Sequence, residues 1–241
     1  MILIEGAQMD LRQWDAVYPA LARDFDVIRY DVRGFGRSDW VAGPYQHHAD
    51  LLALMDLLGV ERAHLVGLSL GGRIAIDLAL TAPERVQSLV LSGPGLSGFE
   101  FDRNSFAELA RARRTADAGR VAEAWLRHGY LEPAMRHASL APRLRELAHA
   151  NSAVWLRQDQ ELPLDPPAIE RLDQVTHPTL LLMGELDEPD IHTIGLLLES
   201  QVPLLLRKDL ADAGHLLPME RPEWFVGALR GFIEQTSPDP N

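Results

Sequence analysis

The chain has 241 residues, no cysteine, and 23 Lys and Arg against 35 Asp and Glu, a formal charge of −12. This acidic surplus argues against nucleic acid and anionic membrane as partners, since both require positive charge. The absence of cysteine excludes a disulfide framework, a thiolate metal site and a cysteine nucleophile. With 46% hydrophobic and 24% charged residues, the composition is that of one large folded domain. No apolar run approaches the ~18 residues of a membrane span.

Short apolar runs alternate with helix-length amphipathic stretches. Strands are expected at 2–4, 26–30, 64–67, 86–91, 179–183 and 204–208; consecutive leucines leave the last one ambiguous. Helices are expected at about 11–23, 46–58, 70–81, 191–200 and 222–234. Pro222 suits a first helical position, and Pro83 stands beyond a helix end. Strand–helix alternation of this kind predicts a doubly wound, mostly parallel α/β sheet with both faces covered. The alternation stops between 99 and 165, where the chain is Ala- and Arg-rich and is broken by Pro133, Pro142 and Pro163. This segment holds ten arginines and ten acids, so the remaining chain carries the net charge. We read 99–165 as a helical cap insertion over the carboxyl ends of the strands, where open α/β sheets bind ligands. Residues 1–98 and 166–236 then form the core, and 237–241 a frayed tail. In the competing reading the helices merely continue the doubly wound pattern, but no strand-like run interrupts them.

His64-Leu-Val-Gly67-Leu-Ser69-Leu-Gly71-Gly72 follows one expected strand and opens a helix. Gly-x-Ser-x-Gly is weak as a pattern alone. In this context small residues two before and two after the serine let strand and helix pass closely through a sharp turn that lifts the hydroxyl clear. The N–H of Leu70, at the helix N-terminus, would point at a developing oxyanion. A phosphate-binding loop fits less well, because no Lys-Ser/Thr follows.

A serine needs a base, and the base needs an orienting acid. In this architecture the chain order is Ser, acid, His. Gly184-Glu185-Leu186-Asp187-Glu188-Pro189-Asp190 follows the strand at 179–183, and Ala213-Gly214-His215 follows the last strand. Asp187 and His215 are the natural pair; Asp190 is the rival acid and Glu185 a distant third. His47, His48, His128, His137, His149 and His192 read as surface or packing residues. No His-x-x-x-His spacing suggests a metal.

Together these motifs resemble the α/β-hydrolase superfamily from about residue 2 to residue 233, and Asp31-Val-Arg33-Gly34-Phe-Gly36 looks like its glycine-rich loop. The resemblance implies a serine hydrolase of the esterase/lactonase-like branch with Ser69, His215 and Asp187 as catalytic triad and no cofactor. By the same resemblance, the backbone N–H of Ala7 joins that of Leu70 in the oxyanion hole. The nearer alternatives are a carbon–carbon bond hydrolase or cofactor-free perhydrolase of the same fold; a receptor-like binding member is the rival from another class. Serine in place of aspartate at the nucleophile position argues against dehalogenases and epoxide hydrolases.

Two departures stand out. Members of the family usually carry His-Gly after the strand preceding the first helix; here Ile4-Glu5-Gly6-Ala7 stands instead. A carboxylate ~7 Å from the oxyanion at an effective dielectric of ~20 costs about 2.4 kcal/mol, roughly fifty-fold in rate, unless Glu5 is protonated or paired with arginine. Members also usually have two further strands ahead of the one that here begins at Ile2. The strand at 26–30 would then be an exposed sheet edge, so either the chain starts late or a partner covers that edge; a late start is the favoured expectation.

Phe99, Phe101, Phe106, Trp125, Tyr130, Met135 and Trp155 are candidates either to line an apolar acyl pocket or, as helical spacing more often implies, to form the segment's own core; Trp125, Trp155 and Phe99 are the tentative pocket residues. Arg111-Ala-Arg113-Arg114 reads either as a solvated face or as a clamp for a substrate carboxylate. The expected partner is a small molecule, a mainly apolar ester or lactone; a homodimer is left open, and a cytoplasmic location is the default expectation.

Overall fold

A computed structural model describes residues 1–40, 42–157 and 160–236. The expected tail at 237–241 lies outside them. Six strands form one sheet among the described residues: β1 (Ile2–Ile4), β2 (Ile28–Arg29), β3 (Ala63–Leu68), β4 (Val86–Ser92), β5 (Thr179–Gly184) and β6 (Leu205–Leu210), in the order β2-β1-β3-β4-β5-β6. Every neighbouring pair is parallel. β1 and β5 are buried at every position and β4 at all but one, which is why they read as continuous apolar runs rather than alternating ones. β6 is an edge and only half-buried.

The helices are α1 (Tyr18–Leu21), α2 (His47–Leu57), α3 (Leu70–Thr81), α4 (Ala107–Arg113), α5 (Ala118–Leu126), α6 (Glu132–Met135), α7 (Ala141–Asn151), α8 (Pro189–Gln201), α9 (Leu217–Glu220) and α10 (Pro222–Thr236). α3 packs on β1, β3 and β4 through buried Ile74, Ala75, Leu78 and Ala79. On α10, Phe225 meets Trp14 with ring centroids 6.1 Å apart.

Two sequence expectations are corrected. The helix expected over 11–23 is instead a tight turn at Leu11–Trp14, capped by Asp10, followed by the short α1. Pro19 lies in the first turn of α1 and has no N–H to carry a helix through from the preceding turn. The strand expected over 26–30 shrinks to Ile28–Arg29, because at the sheet edge it pairs with β1 alone.

Among the described residues four helices, α4 to α7, separate β4 from β5. Their segment is tied to loops beyond the carboxyl ends of the strands. Asn151 donates to Asp10 (2.9 Å) and accepts from the Gly36 N–H (2.7 Å). Arg73, in the first turns of α3, holds Glu161 through two bonds of 2.8 Å. The strand order reverses between β1 and β3, and the residues following those two strands, Glu5–Ala7 and Ser69, therefore border the crevice where such sheets bind ligands.

Inside the fold, Asp77 of α3 accepts from the Ser97 hydroxyl at 2.6 Å, while its other oxygen is buried without a partner. Burial pushes its carboxyl up to about 6, against the opposing effects of Ser97 and Arg73. Its contribution to stability is fullest below the unfolded value of ~3.9 and is lost as pH rises towards the folded value. Asp77→Asn keeps the shape and removes the titration. The variant is expected to be roughly 2–3 kcal/mol more stable than the parent at pH 8 and no more stable at pH 4, as read from urea unfolding midpoints.

Candidate active site

Ser69 stands between β3 and α3 at φ +53°, ψ −113°, a backbone conformation that side chains rarely adopt. Three glycines make the turn possible. A Cβ on Gly71 would lie 2.0 Å from the Ile4 carbonyl oxygen, one on Gly67 2.3 Å from the Gly71 backbone, and one on Gly72 2.6 Å from Pro94. The Ser69 N–H donates to Ser92 (3.0 Å), and its carbonyl accepts from Arg73 (3.1 Å) and Gly95 (2.9 Å). Strand β3, helix α3 and the turn after β4 thus hold the serine from three sides. Its side chain stays half-buried rather than enclosed.

His215 and Asp187 lie in direct contact. Asp187 follows β5, and both of its oxygens lie within reach of His215 Nδ1, at 3.0 and 2.9 Å. The Glu188 N–H also donates to Asp187, at 2.8 Å. His215 Nε2 is buried and has no hydrogen-bond partner among the described residues. Asp190 is turned to other work, accepting from the Asp102 N–H at 2.7 Å, and Glu185 is exposed.

Three neighbours complete the surroundings of this pair: Gly93 and Glu220, which carried no functional reading in the sequence, and Tyr130, which stood only among the pocket or core aromatics. Gly93, at φ +45°, passes so close that a Cβ there would lie 2.8 Å from Asp187 Oδ2 and 2.9 Å from His215 Nδ1. Glu220 accepts from the N–H groups of Gly214 and Leu216, both at 3.0 Å, and so braces the backbone on either side of His215. Tyr130 stacks on the imidazole with centroids 4.4 Å apart and planes at 21°. The Ser-Gly-Pro-Gly run after β4 and the Glu five residues beyond His215 were visible signals; nothing local marked Tyr130. His128, beside Tyr130, is lowered to about 4, first by burial and then by His215. Three of the other histidines do other work: His64 bonds Ser88, His177 bonds the Pro83 carbonyl and His149 meets Glu123.

A cavity of about 210 Å³ is walled by Ala7 and Leu70 together with Arg33, Trp40, Tyr45, Arg113, Trp155 and Arg157. Trp155 is therefore at the cavity. Trp125 is buried behind it, 5.6 Å away centroid to centroid, and Phe99 packs on Phe101. Of the arginine run only Arg113 borders the cavity; its Nε donates to the Trp155 carbonyl (2.8 Å) and its guanidinium lies over the Trp155 ring. Arg157 lies over Trp40. Neither has a carboxylate partner among the described residues, whereas Arg33 is held by Asp50 at 2.7 and 2.5 Å. Among those residues no group of three or more His, Asp or Glu is placed to hold a metal, and no helix is long and apolar enough to cross a membrane.

A family model described as the alpha/beta hydrolase fold matches residues 1–222. The chain belongs to this family. It is 27% identical over 229 residues to the 3-oxoadipate enol-lactonase 1 of Acinetobacter baylyi, covering 93% of this chain and 85% of that protein. It is 30% identical over 243 residues to the putative carbamate hydrolase RutD of Pseudomonas syringae pv. syringae, covering 97% and 93%. The crystal structure of a hydrolase from Pseudomonas aeruginosa PA01 matches with a TM-score of 0.80 at 31% identity, over 96% of this chain and 88% of that one. The protein is accordingly an α/β-hydrolase, an enzyme of the hydrolytic class.

In this α/β-hydrolase the Glu220 brace predicts a measurable loss. Replacing Glu220 by Ala leaves two buried N–H groups without their acceptor, at about 1–3 kcal/mol each. Glu220→Ala is expected to unfold at lower urea concentration by roughly 2–5 kcal/mol and to lose hydrolytic activity even where it remains folded.

Proposed function

We propose that the protein is a serine hydrolase cleaving a small carboxylic ester or lactone through an acyl-enzyme, with Ser69 as nucleophile, His215 as base and Asp187 as orienting acid. The observation that carries this reading is the Asp187–His215 pair. One imidazole nitrogen is engaged by both carboxylate oxygens, and the other is buried and free of any partner among the described residues. The turn at Gly93–Gly95 adjoins both this pair and the serine.

In the proposed sequence Ser69 Oγ attacks the carbonyl carbon as His215 Nε2 takes its proton. The N–H groups of Leu70 and Ala7 receive the oxyanion. Collapse breaks the bond to the alkoxide, which leaves with the proton from His215. His215 then deprotonates water, whose attack releases the carboxylic acid and restores Ser69. The helical segment 99–165 would act as the lid, since it supplies Arg113, Trp155 and Arg157 to the cavity wall and Tyr130 to the histidine.

The cavity favours a substrate that carries a carboxylate of its own. Arg113 and Arg157 bring two charges to a cavity whose lining carboxylate, Glu161, is itself bound by Arg73, in a chain whose net charge is −12. Their guanidinium planes rest on tryptophan faces, which leaves N–H donors for a bidentate anion. The enol-lactonase relative, by its name, acts on a 3-oxoadipate enol-lactone, in keeping with that chemistry.

Ser69→Ala is expected to lower kcat on a short-chain p-nitrophenyl ester by about 10⁴-fold or more. A fluorophosphonate should modify Ser69 stoichiometrically in the parent and fail to do so in His215→Ala; absence of labelling in the parent would favour a receptor-like binding role. Arg113→Ala and Arg157→Ala are each expected to raise KM for a carboxylate-bearing ester roughly three- to tenfold. The same variants should shift KM for a neutral ester of equal length by less than about twofold.

A further inference from the structure

Glu5 opens the stretch that follows β1, two residues ahead of Ala7. Its side chain is wholly buried, at 0% exposure. Oε1 accepts from the Val32 N–H at 2.5 Å, and Oε2 is buried with no partner. No arginine, lysine or histidine pairs with it among the described residues. Arg33, the nearest arginine in sequence to Val32, is committed to Asp50, and Arg12 to Asp10 and Glu146. The titratable groups that face Glu5 are all acids: Asp10 on the loop after β1, and Tyr30 and Asp31 at the end of β2. An ionised Glu5 would therefore be an uncompensated buried charge beside like charges, the arrangement that proteins avoid by keeping the group neutral.

The backbone at Glu5 lies against the nucleophile turn. A Cβ on Gly71 would be 2.8 Å from the Glu5 carbonyl oxygen, and a Cβ on Gly6 would be 3.4 Å from Ser69 Cβ. The Gly6 N–H is held by Gln13 at 3.0 Å, and the Met9 N–H closes back on the Gly6 carbonyl at 3.2 Å. The Glu5 carboxyl adds the third hold, fastening this loop to Val32 on the neighbouring strand's loop.

We propose that Glu5 works as a neutral carboxylic acid, a positioning residue that clamps the Gly6–Ala7 peptide over Ser69 while keeping negative charge away from the developing oxyanion. This inference rests on the reading of Ser69 as nucleophile. Burial pushes the Glu5 carboxyl well up from the ordinary range, Asp31 and Asp10 push the same way, and the Val32 and Glu5 N–H groups oppose them only in part. The acid form is then the working form. As pH rises through the raised value, the proton is lost and a carboxylate appears near the oxyanion, lowering kcat on the order of tens-fold. A purely structural buried acid would alter stability but would not imprint its titration on kcat.

The test is the pH profile of kcat on a p-nitrophenyl ester for the parent, Glu5→Gln and Glu5→Ala, with circular dichroism confirming the fold at each pH. The parent is expected to show an alkaline fall; Glu5→Gln, which keeps the neutral form's shape and its acceptor for Val32, should hold at least about a third of the parent's plateau and lack that fall. Glu5→Ala, without the clamp, should be slower by about tenfold or more across the range. An alkaline fall that is the same in Glu5→Gln as in the parent overturns the proposal, and so does a folded Glu5→Gln inactive at every pH. A direct readout needs no turnover: the infrared difference spectrum of parent minus Glu5→Gln at neutral pH should contain a carboxylic-acid C=O band, and a carboxylate band alone overturns the proposal. Fluorophosphonate labelling of the parent keeps the two readings apart, because loss of labelling there counts against Ser69 itself and not against the protonation of Glu5.

Discussion

The close approach of α3 to β1 is the constraint from which the rest of the site follows. A single added carbon on Gly71 would sit 2.0 Å from the Ile4 carbonyl oxygen, so the helix after Ser69 can reach the sheet only without side chains at the crossing. That proximity forces Ser69 into positive φ and brings the loop after β1 over it. Because β1 and β3 are neighbours at the point where strand order reverses, one crossing sets both the serine and the peptide that passes above it. The strain at one residue persists because Ser92, Arg73 and Gly95 over-determine the turn through its backbone.

Charge is distributed with the same economy. The chain is strongly acidic, yet two of its buried carboxyls, Glu5 and Asp77, are raised by burial, while Glu220 is spent on backbone N–H groups around His215. A buried carboxyl is tolerable when it is neutral or when donors surround it, and both solutions occur within one crevice. At the cavity wall Arg113 and Arg157 rest on tryptophan rings rather than on carboxylates, whereas Arg33 is held by Asp50.

The helical segment reaches the sheet at a few points, each at a loop that matters. Asn151 bridges Asp10 and Gly36, Arg73 secures Glu161, and Tyr130 lies flat on His215. These contacts make the segment part of the site's wall, so a change within it is felt at the imidazole and at the cavity together.

The sequence by itself determined the sheet, α3 from Leu70 to Thr81, and the order in which serine, acid and histidine arrive. These follow from short-range rules: apolar runs, glycines spaced around a serine, and turns after strand ends. The same rules failed at 11–23, where the apolar pattern ran on through Pro19, and at 26–30, where the sheet edge limits pairing to Ile28–Arg29. Only the tertiary structure decided that Asp187 rather than Asp190 faces His215, that Trp155 and Arg113 border the cavity while Trp125 and Phe99 do not, and that Glu5 lies among acids with no cation beside it. The physical reason is common to all three. Local periodicity tells which way a side chain starts from its own element, but its neighbours, and hence its charge state and role, come from residues far away in the chain, 141 positions for Asp10 and Asn151.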